Sequence, residues 1–97
     1  MGAPAEDLVV THDETAHRFE GRLAGRVVAL ADYVPHGDGI ALVHTEVDPA
    51  HEHEGLATKV VDTALHEARA RGWRVVPACS FVRLHVRRHA QEYADVL

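Results

Sequence analysis

The residues best able to do chemistry fall in a few short stretches. His44 and Glu46 stand two apart in the β-branched run Ile40 to Val47, so on a strand their side chains share one face. There they could serve one cleft as proton donor and acceptor, directly or through water. A solvent-facing cross-strand pair is the plainer reading of the same spacing. Cys79 is the only cysteine, which rules out an internal disulfide and a zinc site built from several thiolates. It matters either as a single thiol, nucleophile or proton donor, or as a small buried hydrophobe.

A second kind of chemistry, anion binding, is suggested by the stretch Asp48-Pro49, Ala50 to Glu54, Gly55-Leu56-Ala57-Thr58, which leads tightly into a helix. The free backbone N–H groups and positive dipole end of a helix N-terminus can cradle a pyrophosphate. A glycine opening a helix is, taken alone, most often only a turn. Arg83, Arg87 and Arg88 offer guanidinium groups that match phosphate oxygens, or else form a solvated basic face; Lys59 is a weaker candidate. Nine histidines invite a metal reading. His51-Glu52-His53-Glu54 is not H-E-x-x-H, and although His85 and His89 stand at i, i+4, no third ligand has an obvious spacing, so no metal is expected.

These groups have to be positioned by a short series of elements. Leu8 to Thr11 and His17 to Leu23 read as strands, the Ala24-Gly25 pair as a hairpin turn, and Arg26 to Val34 as the returning strand. Pro35-His36-Gly37-Asp38-Gly39 reads as a second turn before Ile40 to Val47. Leu56, Val60, Val61, Ala64, Leu65 and Ala68 then form the apolar stripe of an amphipathic helix, with Gly72 as its C-cap. Trp73 to Pro77 is a short strand, Ser80 is placed to N-cap a second helix through about His89, and Gln91 to Leu97 closes over the core. The order is that of an α+β layer architecture.

Length and composition bound the rest. With 97 residues, 46% hydrophobic and 26% charged, the chain makes one domain, 1–97, with a modest core and a flexible start over Met1 to Asp7. No apolar run approaches a membrane span, and the start has no basic, then apolar, leader, so a cytoplasmic protein without a membrane partner is expected. The net charge of -5 argues against nucleic acid. That charge is uneven: 4 basic and 13 acidic residues up to Ala68, then 6 arginines and 2 acids. A polyanion is most welcome in the C-terminal third.

Several separated motifs occur together in order: His44-Thr45-Glu46-Val47, the loop into Gly55-Leu56-Ala57, Val75-Val76-Pro77-Ala78-Cys79-Ser80-Phe81-Val82, then Arg87-Arg88-His89 and Glu92-Tyr93-Ala94-Asp95. From about His12 onward the chain resembles the GNAT acetyltransferases, specifically their very small, single-domain YjdJ-like subgroup. The resemblance implies a minimal GNAT acyl-CoA N-acyltransferase fold, a mostly antiparallel sheet with splayed central strands and two to three helices. It implies acetyl-CoA between the strand ending at Val47 and the strand Trp73 to Pro77, with the pyrophosphate on the amides of Glu54, Gly55, Leu56, Ala57 and Thr58. It also brings Arg83, Arg87 and Arg88 within reach of the CoA phosphates and Cys79 close to the CoA sulfur.

The implied activity is acetyl transfer to an unidentified amine, with a protein lysine or a polyamine as the acceptor an open cleft would admit. The alternatives are a non-catalytic CoA- or acyl-CoA-binding module and a small protein-interaction adaptor. The chain departs from the family signature Q/R-x-x-G-x-G/A at its first position, where Glu52 stands, and His53 and Glu54 add further unusual side chains beside the phosphate site.

Overall fold

The alternation of buried and open positions along the first half of the chain builds a sheet before it builds anything else. The computed structural model describes residues 7–97, so the expectation for the start of the chain lies outside the described residues apart from Asp7. The strands are β1 (Val9–Asp13), β2 (Arg18–Leu23), β3 (Arg26–His36), β4 (Gly39–Val47) and β5 (Val75–Pro77), and the helices are α1 (Leu56–Arg71), α2 (Ser80–Arg88) and α3 (Ala90–Tyr93). A single five-stranded sheet runs in the order β1-β2-β3-β4-β5. Three neighbouring pairs are antiparallel and β4-β5 is parallel, the pairing that a helical crossover makes possible. Among the described residues no helix is long and apolar enough to cross a membrane.

Two expectations are corrected. The second turn is shorter than the run from Pro35 to Gly39, because β3 continues through Pro35, paired with Ile40, to His36. Proline is tolerated there because pairing with β2 ends at Asp32, leaving that side of β3 unpartnered. Cys79, not Ser80, is the residue at the N-cap of α2, with extended backbone at φ −79, ψ 137; Ser80 is the first helical residue.

Helix α1 buries Leu56, Val60, Val61, Ala64, Leu65 and Ala68 against the sheet, where Phe19, Ala31 and Leu42 are fully buried. It stops at Gly72, whose φ of 70 lets its N–H reach back to the carbonyls of Ala68 and Arg69. Polar contacts fix the helix on both sides. His12 of β1 bonds Glu67 through Nδ1 and lies 2.6 Å from the Tyr33 hydroxyl through Nε2, while its ring stacks on Phe19 at 4.1 Å. Arg71 pairs with Glu14 and Glu67, supplying the positive charge that this acidic corner would otherwise lack.

On the other side, Asp62 of α1 accepts from His85 of α2 at 2.6 Å and from the Tyr93 hydroxyl of α3. Arg69 makes paired bonds of 2.8 and 3.0 Å to Asp95, so the C-terminal segment docks on α1 with Tyr93 and Val96 buried. Burial, reinforced by the bond to Asp62, pushes the Tyr93 hydroxyl well above its ordinary value. A tyrosine that stays protonated in the folded chain but ionises near pH 10 when unfolded leaves the folded state holding more protons, so stability falls as pH rises above about 10. Tyr93→Phe is expected to cost about 1–3 kcal/mol at neutral pH and to lessen that alkaline decline, leaving the part due to Tyr33, whose hydroxyl burial also pushes up. Urea unfolding of both proteins near pH 7 and near pH 10.5 checks it.

Candidate acyl-donor cleft

The parallel pairing that closes the sheet is short, and the site begins where it ends. β5 pairs only with Ile40, Ala41 and Leu42. The Cys79 N–H then donates to the Leu42 carbonyl at 2.9 Å, and the chain turns away into α2. From Val43 to Val47, β4 therefore has no strand on its β5 side, and its backbone edge is open except where the Thr45 backbone reaches the Cys79 thiol. A cleft of about 670 Å³ lies along that edge, floored by Thr45, Glu46 and Val47 and walled by the first turn of α1 and by Phe81 of α2.

The far end of the cleft is the N-terminus of α1. Gly55 caps it at φ 77, a conformation that favours glycine, and a Cβ placed there would meet open space. The first intrahelical bond is Lys59 N–H to Gly55 C=O, so the amides of Leu56, Ala57 and Thr58 have no acceptor within the helix and no side-chain cap. Gly55, Leu56, Ala57 and Thr58 all line the cleft, as does Val47. Glu54 does not: its carboxylate accepts from His51 at 3.0 Å, so that negative charge is turned off the anion path. His51, Glu52 and His53 do line it.

A bulge decides which face each strand residue meets. Asp32 pairs with His44 and Tyr33 with Leu42, which makes Val43 an extra residue in β4. Simple alternation from Ile40 and Leu42 would drive His44 and Glu46 into the core. After the bulge it is Thr45 and Val47, opposite buried Ala31 and Ala29, that face α1. His44 and Glu46 share a face, joined by a 2.8 Å hydrogen bond, and that face is the open one, opposite α1.

Cys79 belongs to the other side of the strand. Its Sγ lies 3.7 Å from Thr45 Oγ1, at the start of α2. Burial pushes the thiol up, but hydrogen bonds from the Val82 amide, the Thr45 hydroxyl and the Phe81 and Thr45 backbone outweigh it, and the thiol ends below its ordinary value. The structure thus sets Cys79 and the His44-Glu46 pair on opposite faces of one strand edge, flanking rather than joining one another.

The three arginines are elsewhere. Arg83 donates to the carbonyls of Pro77 and Ala78 at 3.3 and 3.1 Å, bracing the turn into α2. Arg87 and Arg88 line a separate concavity at the α2-α3 junction. Thr45 and Phe81 are lining residues to which sequence reasoning gave no role of their own, while His51 was considered only as a metal ligand. For Thr45 the missing signal was the bulge, which nothing in the local composition marks.

A splayed β4-β5 pair with a helix N-terminus at its mouth defines a class, and sequence comparison gives the same class. The profile of the GCN5-related N-acetyl-transferase family matches residues 18–96. The chain belongs to that family, and with it to the N-acetyltransferases. Its fold is similar to the solution structure of a GCN5-like candidate N-acetyltransferase from Staphylococcus aureus. The TM-score is 0.68 at 22% identity, over 93% of this chain and 87% of that one. No curated protein sequence matches the chain.

Proposed function

We propose that the protein transfers an acetyl group from acetyl-CoA to an amine. The observation that carries this reading is the strand-free edge of Val43 to Val47 leading to the amides of Leu56, Ala57 and Thr58, which have no acceptor within the helix and no side-chain cap. An extended pantetheine can pair with such an edge as a missing strand would, while its pyrophosphate meets the helix end. The space beside Gly55 and the cleft volume of about 670 Å³ fit that ligand.

Cys79 and Glu46 then flank the reacting end from opposite faces. An amine that has given up its proton, to Glu46 directly or through water with His44 assisting, attacks the thioester carbonyl. The C–S bond breaks, the departing CoA thiolate takes a proton from the Cys79 thiol, and the proton that the nitrogen sheds as the amide forms returns through water to the Cys79 thiolate. In a two-step variant the Cys79 thiolate attacks first, forming its own C–S bond as CoA leaves, and the amine then takes the acetyl group.

The acceptor approaches over the open sheet face, which no described helix covers, so an exposed protein lysine or a polyamine fits better than a small enclosed substrate. Arg87 and Arg88, outside the cleft lining, are in reach of the 3′-phosphate only if the ligand extends around α2.

Calorimetric titration with acetyl-CoA and CoA at two salt concentrations, with intact mass recorded after each mixture, tests the reading. Micromolar binding that weakens with salt is expected, together with acetylation of an added amine. Binding without turnover would favour a non-catalytic acyl-CoA-binding module, and no binding at millimolar ligand would favour a protein-interaction adaptor.

A further inference from the structure

The loop between β4 and α1 carries four titratable side chains in a row, His51, Glu52, His53 and Glu54, and the first three line the end of the cleft beside the N-terminus of α1. With both imidazoles neutral the loop bears two negative charges; with both protonated it bears none. Its shape is held independently of any ligand. Asp48 caps the turn Pro49–His51 by accepting from the Ala50 amide at 2.9 Å, and His53 stands in the left-handed region at φ 66. His51 holds Glu54 away from the cleft, while His51 and His53 themselves line it.

Most of the other groups around this end are paired or uncharged. β4 contributes Glu46, bonded to His44, and Asp48 is paired with Arg26 at 3.3 Å. α1 presents the uncharged Leu56, Ala57 and Thr58, α2 presents Phe81, and Lys59, one residue farther along α1, already has a partner.

We infer that His51 and His53 are proton-dependent phosphate contacts, so that the protein takes up its acyl-CoA more tightly as pH falls through the imidazole range. This rests on the reading of the cleft as an acyl-CoA site and adds to it a control set by two side chains of this chain. Each imidazolium places a positive charge near the pyrophosphate and offsets Glu52 or Glu54. The bound anion favours the protonated rings in return, so binding takes protons from solution. The gain is present where the rings carry their protons and is lost as they give them up.

The test is calorimetric titration with 3′-dephospho-CoA, whose pyrophosphate does not titrate in the imidazole range, unlike the 3′-phosphate monoester of CoA. The affinity of the unmodified protein is expected to rise about tenfold from pH 8 to pH 6, with proton uptake read from the dependence of the heat on buffer ionisation enthalpy. His53→Asn, which keeps a residue tolerant of the left-handed backbone, and His51→Gln should each flatten that slope, and Glu52→Gln should raise affinity at the alkaline end. Binding of unchanged affinity across the range with no proton uptake overturns the inference and leaves the cleft assignment standing. So does a slope that survives both histidine variants but disappears in His44→Gln. Absence of binding at every pH overturns the cleft assignment itself, and the inference with it.

Discussion

Gly39→Ala is expected to destabilise the protein by about 3 kcal/mol or more, a large share of the roughly 5–15 kcal/mol that holds a domain folded. A methyl group on Gly39 would lie 1.8 Å from the carbonyl oxygen of Arg74, 2.5 Å from its nitrogen and 2.7 Å from its carbonyl carbon. These are backbone atoms, so no side-chain rotation relieves the overlap. They are also the atoms that start the parallel pairing: the Ile40 N–H donates to the Arg74 carbonyl at 2.9 Å, and the register Ile40 with Val75, Ala41 with Val76 and Leu42 with Pro77 follows from it.

Moving Arg74 away therefore unpairs β5 and takes with it the Cys79 to Leu42 bond that aims α2. The variant should lose its urea transition or show a midpoint far below that of the unmodified protein. Asp38→Ala, one residue away on the exposed turn, should stay within about 0.5 kcal/mol and serves as the control. A near-normal midpoint for Gly39→Ala would mean that β4 and β5 do not approach as closely as the geometry requires.

The same region shows how far the sequence could be read. The α1 stripe from Leu56 to Ala68 and the stop at Gly72 were legible because helical period and a left-handed cap are both local signals. The hairpin at Ala24-Gly25 was legible for the same reason, and the family resemblance carried the splay of the central strands.

What could not be read depends on pairing between distant residues. The extra residue at Val43 changes which face Thr45 and Glu46 occupy, yet it is visible only once β3 supplies the register. Arg83 looks like a phosphate ligand in sequence and is a brace for two carbonyls in space, because Pro77 and Ala78 turn their oxygens toward it. His85, suggestive of zinc beside His89, is matched instead to an aspartate on another helix, a partner that its own neighbours do not announce.

Cys79→Ala is expected to lower kcat/KM for acetyl transfer by about 10²–10⁴-fold, the range for removal of one positioned acid or base, while acetyl-CoA binding changes little. The split between rate and binding matters because a group that acts on the thioester only as its C–S bond breaks adds little to donor affinity in the ground state. Thr45 tells the two possible roles apart. Its hydroxyl, 3.7 Å from Sγ, is one of the groups holding the thiol below its ordinary value, so Thr45→Val should move the thiol upward.

The onset of iodoacetamide alkylation at Cys79 should then shift to higher pH, a change that a merely structural threonine would not produce. If the thiol is the acid for the departing CoA, activity falls as pH rises through the thiol pKa, and Thr45→Val carries that fall to higher pH. If the thiolate is the nucleophile, activity rises through the same pKa, Thr45→Val delays the rise, and an acetyl adduct appears in the intact mass before amine is added. A Cys79→Ala protein with unchanged turnover excludes both roles and leaves the thiol as a small packed group at the head of α2.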